Sequence, residues 1–210
     1  MLFRSSTSGL YEDMATRRLA PGIIPYSVNA PFWSDGADKE RFIALPGMEQ
    51  IEFTRDGHWT FPAQSVLVKN FYLSGQIVET RFFVKRPTGE AWDGYSYMWD
   101  GDEATLLTES ATRTYSIDGQ ERTHYFPSRA ECLSCHTPQS GYVLGVRTAQ
   151  LNGDHPYALA TDNQLRTLDH IGLFTERIDA PPDALPRLPR YDDERDRKST
   201  RLNSSHLVIS

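Results

Sequence analysis

Residues 65–86 read SVLVKNFYLSGQIVETRFFVKR. In the second half Val78, Thr80, Phe82 and Val84 alternate with Glu79, Arg81 and Lys85. A period of two places one set on a buried face and the other toward solvent, the pattern of a half-buried β-strand. The first half, Ser65–Leu73, is rich in branched and aromatic residues and meets the second at Ser74-Gly75. Two apolar runs separated by two small, turn-forming residues predict a β-hairpin. The same grammar recurs on both sides. Ile51–Phe53 and His58–Phe61 flank Asp56-Gly57, Trp92–Trp99 follows Pro87-Thr88-Gly89, and Thr112–Ile117 and Gln120–Phe126 flank Asp118-Gly119. Regularly spaced short strands predict a mainly β chain, with an antiparallel sandwich or barrel-like core over residues 51–127.

The flanks read differently. Residues 1–50 are loop-rich and are expected to pack on the core, with a short helix at Gly9–Leu19 and another over Asp38–Ile43 capped by Ser34 and ended by Pro46-Gly47. Residues 128–178 read as a short mixed or helical segment, in which Asp162 caps a helix carrying Leu165, Leu168 and Ile171, and Gly172 stops it. Residues 179–195, with Pro181, Pro182, Pro186 and Pro189, read as an extended linker. Residues 196–210 (DRKSTRLNSSHLVIS) resemble a translated sequencing-library adapter and are set aside as a non-native tail. The native chain is then expected to continue beyond about Glu194.

Composition limits the function classes. With 39% hydrophobic and 24% charged residues the chain has material for a core. A formal net charge of −6 argues against nucleic acid as a partner. No run approaches the ~20 apolar residues of a membrane span. Met1–Leu10 has one arginine and no apolar stretch, so no signal peptide is visible there. Two cysteines cannot build a disulfide scaffold.

Both cysteines fall in one motif, Cys132-Leu133-Ser134-Cys135-His136. CxxCH is the attachment signature of c-type haem. Thiols about one turn apart can each form a thioether with a porphyrin vinyl group, and the adjacent histidine becomes the proximal ligand of the iron. Three other uses stand beside it. Zinc needs a fourth ligand, for which His155 or His170 is available. A dithiol redox pair needs a βαβ setting, whereas a β-hairpin precedes this motif. The cysteines can also be structural. The distal position of such a haem is either open or filled by Met98, His124, His155 or His170, each with an ordinary structural alternative. Met98 suits core packing, His124 a cross-strand position, His155 a loop before Pro156, and His170 a helix C-terminus. Lys39, Arg129 and Arg147 are candidates for pairing with haem propionates, against a default of solvated surface charge. The aromatic run Trp92, Tyr95, Tyr97 and Trp99 can serve as sheet core or as a carbohydrate platform. Asp100-Gly101-Asp102-Glu103 reads as an acidic turn, because a calcium loop would need later Gly and Glu positions. There is no Gly-rich phosphate loop, GxSxG or HExxH.

Five segments together, residues 24–45 (IPYSVNAPFWSDGADKERFIAL), 61–71 (FPAQSVLVKNF), 79–82 (ETRF), 94–100 (GYSYMWD) and 126–152 (FPSRAECLSCHTPQSGYVLGVRTAQLN), resemble a bacterial family of β-rich proteins with a single CxxCH, classed as c-type cytochromes or haem-binding proteins. The resemblance spans about residues 8–175. It implies covalent haem c on Cys132 and Cys135 with His136 as proximal ligand. It also implies electron transfer rather than an enzyme activity of the chain's own, and a redox partner such as a quinone-dependent dehydrogenase. Haem c is attached outside the cytoplasm, so a periplasmic or extracellular location is expected. The alternative is a zinc-binding or carbohydrate-binding β-sandwich with structural cysteines.

Overall fold

The computed structural model describes residues 9–13 and 15–190. The adapter-like tail lies outside the described residues, as do residues 191–195 of the proline-rich stretch. The chain is mainly β. Its described residues divide into two compact units interleaved in sequence: those within 9–26, 33–50 and 61–144 form the first, and 27–32, 51–60 and 145–190 the second.

The first unit is built on a six-stranded antiparallel sheet in the order β3-β4-β5-β6-β7-β8. These strands are β3 (Ile24–Tyr26), β4 (Asp38–Ala44), β5 (Val66–Leu73), β6 (Gln76–Lys85), β7 (Trp92–Asp100) and β8 (Glu103–Leu106). Ahead of them lies a small hairpin, β1 (Tyr11–Asp13) with β2 (Arg18–Leu19). The sheet runs in a linear strand order, with β3 and β8 at its edges. The β5–β6 hairpin forms where the alternation placed it. Ser74 and Gly75 both take positive φ (46° and 81°), the geometry a two-residue turn needs to match strand twist. A bulge between Phe71 and Tyr72 shifts the register near the turn.

A second hairpin, β9 (Ala111–Ile117) and β10 (Gln120–Phe126), turns at Asp118-Gly119, again with both φ positive. It covers one end of one sheet face, where Tyr115, Ile117 and Phe126 pack with Phe71, Leu73 and Val78. Farther along that face lies helix α1 (Arg129–Cys135). The opposite face buries Phe42 and Val68 with Leu10.

The second unit holds α2 (Thr148–Leu151), a short ribbon of β11 (Asp154–Pro156) and β12 (Thr161–Asn163), and α3 (Gln164–His170). Its aromatic core is Phe53, Trp59 and Phe174, with Trp59 edge-on to Phe174 at 5.0 Å. The Asp56-Gly57 turn closes a single bridge, Glu52 to Thr60, rather than two full strands.

Three local expectations are corrected. Gly9–Leu19 forms the β1–β2 hairpin and no helix. Asp38–Ile43 is strand β4, because full pairing with β5 outweighs the helix-favouring composition of DKERFIA. Helix α3 is capped by Asn163, whose side chain accepts from the Leu165 and Arg166 amides, while Asp162 pairs with Arg166. The proline-rich stretch through residue 190 is tied down in this unit. The Asn152 amide lies within hydrogen-bond reach of the Pro182, Leu185 and Pro186 carbonyls, and Leu185 is buried.

Candidate functional site

The CxxCH segment begins where β10 ends at Phe126-Pro127. Proline cannot extend the ladder, and Ser128 then opens α1 with a complete capping box. Its hydroxyl accepts from the Glu131 amide, and the Glu131 carboxylate accepts from the Ser128 amide at 2.8 Å. The cap fixes the start of a seven-residue helix that bears Cys132 and Cys135. Arg129 anchors it further, reaching Asp93 of β7 at 2.7 Å and lying over the Tyr95 ring. Arg86 and Arg129 together hold the Asp93 carboxyl down at about 2, Arg86 contributing most.

Cys132 faces β7 at the one position without a side chain. A Cβ added at Gly94 would stand 2.8 Å from Cys132 Cβ and 2.9 Å from its Sγ. Cys132 is partly buried and Cys135 exposed, and both are free thiols. Burial pushes the Cys132 thiol up, with Arg81 opposing and Glu79 and Glu131 adding to the rise. That is the reverse of the depressed thiol of a dithiol oxidoreductase.

His136 closes the helix. The segment that follows turns sharply: Thr137 caps a 3-10 turn over Pro138–Ser140, and Gly141 and Tyr142 both take positive φ. This reversal brings the Tyr142 carbonyl back to His136 Nδ1 at 2.5 Å. A ring that donates Nδ1–H to a carbonyl carries its lone pair on Nε2, the arrangement a metal-ligating histidine uses. The ring lies on Phe83 at 4.3 Å between centroids, and Phe83 is stacked on Trp92 at 5.1 Å. Burial holds His136 below the usual imidazole range. The charges of Lys69 and Arg81 add to this, and the Tyr142 hydrogen bond works against it. The side chain is therefore neutral near pH 7, as ligation requires.

The donor set fits a covalently held haem. Two free thiols sit three residues apart on a capped helix, and the adjacent imidazole is oriented through Nδ1. Among the described residues no three His, Cys, Asp or Glu side chains gather as a ligand set.

The distal candidates are dispersed. Met98 pairs in register with Glu79 and packs beside the cluster of Phe71, Tyr115 and Phe126. His124 is fully buried, and its Nε2 is 2.8 Å from Glu79 Oε2. Its Nδ1 has no hydrogen-bond partner among the described residues, the Asp35 carboxylate being 4.0 Å away. His155 and His170 belong to the second unit. Ser27 Oγ lies 3.0 Å from His155 Nδ1, and His170 is the exposed last residue of α3. Of the propionate candidates, Arg129 is already paired with Asp93, Arg147 lies in the second unit, and Lys39 sits on β4 with its ammonium 3.1 Å from the Ala37 carbonyl.

The two tryptophans of the aromatic run are packed, whereas Tyr95 and Tyr97 are partly exposed and line an apolar groove with Val68 and Phe82. Trp92 and Trp99 are each 3% exposed, and Trp99 donates to Thr80 Oγ1 at 2.9 Å. Alternation along β7 sends Trp92 to one face of the sheet and Tyr95, Tyr97 and Trp99 to the other. Asp100-Gly101-Asp102 is the turn between β7 and β8, and β8 itself went unread because the acidic turn hid its short apolar run. Sequence reading also missed the partners of the motif. Gly94 and Tyr142 had no local signal, since one matters for a lost side chain and the other for a main-chain oxygen. No family model, no curated protein and no solved structure matches the chain.

Proposed function

We propose that the chain is a c-type haem protein of the cell exterior or periplasm that carries electrons. Cys132 and Cys135 would hold the group through thioethers, and His136 Nε2 would be its proximal ligand. The observation that carries the reading is the Nδ1 hydrogen bond from His136 to the Tyr142 carbonyl, immediately after two free thiols on a capped helix. Haem, when bound, supplies a one-electron iron couple. The chain's own residues do the rest. The capping box and Arg129 fix the helix, Gly94 admits Cys132 against the sheet, and Phe83 with Trp92 supports the imidazole plane. Exposure of Cys135 leaves one edge of the site open to solvent, where an electron can pass to a docked protein without a bond to substrate. The acidic chain favours a partner with a basic face, such as a quinone-dependent dehydrogenase, and an association weakened by salt.

The test is a pyridine haemochrome on the chain expressed behind an export signal in a host that attaches haem c. A covalent haem-c band, absent when Cys132 and Cys135 are replaced by alanine, supports the reading. A folded, colourless protein overturns it, and zinc analysis of that sample then decides what the motif binds.

A further inference from the structure

The sheet face that carries Phe83 and Gly94 also carries a row of cations. In register across three strands, Arg41 of β4 stands opposite Lys69 of β5, and Lys69 opposite Arg81 of β6. Like charges placed directly opposite on one face destabilise a sheet. Lys39 lies two residues from Arg41 on the same face, and Lys39, Lys69 and Arg81 all rim the Phe71 ring, at 6.0, 5.8 and 4.4 Å. Arg41 is only 9% exposed.

The compensation for this charge is incomplete. Glu79 is held by Arg81 in a bidentate pair at 2.6 and 2.8 Å and is shared with His124. Arg41 has one long contact, 3.5 Å to the Lys39 carbonyl, and neither Arg41 nor Lys69 has a carboxylate partner among the described residues. Asp35 and Asp38 act on Lys39, Glu79 is the charge that opposes the repulsion on Lys69, and the Tyr26 phenol faces Arg41. Burying charge without a partner is expensive; Arg41 is buried and Lys69 partly buried without a carboxylate, so a protein that sets both in line with Arg81 on one face has a use for them. The row adjoins the motif, since the charges of Lys69 and Arg81 both act on His136.

We infer that Arg41, Lys69 and Arg81, with Lys39 at the end of the row, form a binding site for a carboxylate. The planar guanidinium groups suit the two oxygens of a carboxylate, and the ammonium between them supplies a point charge. Two sources have this chemistry: a propionate arm of a haem attached at Cys132 and Cys135, or a diffusible carboxylic acid. The site itself does not require the haem reading.

The experiment uses the full chain in two preparations, one without and one with haem attachment, and succinate as the probe. In the preparation without haem, succinate binds by calorimetry and raises the melting temperature beyond a sodium chloride control of equal ionic strength. Lys69→Met and Arg41→Gln each weaken this binding by about tenfold or more, the loss of one charge-assisted contact. In buffer without carboxylate, Lys69→Met melts at or above wild type, because a repelled, partly buried charge has gone. If the haem-loaded chain no longer binds succinate, a propionate fills the site. If it still binds, the ligand is diffusible. Either result supports the site. Succinate that acts no differently from sodium chloride overturns it, as does a Lys69→Met chain that binds succinate like wild type or melts well below wild type without it.

Discussion

The α-carbon of Gly94 on β7 is the floor on which Cys132 rests: a methyl group there would lie 2.8 Å from Cys132 Cβ. Real Cβ atoms do not approach a neighbour so closely, and both the strand and the capped helix are held by other bonds. Gly94→Ala therefore pushes α1 off the sheet. Overpacking of this kind costs about 1–3 kcal/mol. Urea unfolding of Gly94→Ala against Gly145→Ala, where the added Cβ meets only Val28 at 3.6 Å, checks the point. Loss of stability at Gly94 together with reduced haem attachment is expected, and equal stability of the two variants would contradict it.

This relationship marks the limit of what was legible in the sequence. The β5–β6 and β9–β10 hairpins were readable because two-residue turns and period-two alternation are local codes. The CxxCH residues were readable for the same reason. Strand β4 was not, because DKERFIA favours a helix in isolation and becomes a strand only through pairing with β5. The partners of the motif were hidden too. Gly94 lies 38 residues before Cys132, and Tyr142 contributes a carbonyl that every residue type possesses. The cation row depends on the register of three strands, and no spacing in the chain announces it.

The buried Glu79 ties together Arg81 and His124. Removing its charge strands Arg81 in an already cationic row. Breaking one member of a buried ion pair costs about 3–5 kcal/mol in general, and Arg81, being partly exposed, should fall at or below the lower end. Glu79→Gln is thus expected to lose about 2 kcal/mol or more in urea. The double variant Glu79→Gln/Arg81→Met should recover part of that loss. A Glu79→Gln protein as stable as wild type would show that the pair holds nothing.

Asn152 secures the proline-rich stretch of the second unit through the Pro182, Leu185 and Pro186 carbonyls. Asn152→Ala leaves those carbonyls without their donor and costs about 1–3 kcal/mol. The first consequence is local opening, which frees the backbone around Arg187 and Arg190 for trypsin. Limited proteolysis should cut there faster in the variant than in wild type. Equal cleavage rates would mean that Leu185 burial and the remaining bonds, such as Leu188 N–H to the Ala149 carbonyl, retain the segment without Asn152.

Lys69 gives the protein an alkaline slope. Burial is the main cause that pulls its ammonium down to about 7. Arg41, Arg81 and Lys39 add repulsion, and Glu79 alone opposes them. Between about pH 7 and its ordinary value of 10.5 the unfolded chain binds this proton and the folded chain does not. Stability therefore rises with pH through that window, by at most about 1.4 kcal/mol per unit. Below about pH 7 both states are protonated and the full penalty remains. Tyr26, pushed up to about 12 mainly by burial, works the other way above pH 10, where the unfolded phenol ionises first. Urea unfolding from about pH 7 to about pH 8, short of that range and of the range where the unfolded Cys132 thiol ionises ahead of the folded one, should show a gain in wild type without carboxylate. Lys69→Met should remove the gain. Saturating succinate should flatten it as well, because a bound carboxylate keeps Lys69 protonated in the folded state. A wild-type profile as flat as that of Lys69→Met would show that the ammonium stays charged and solvated across the row.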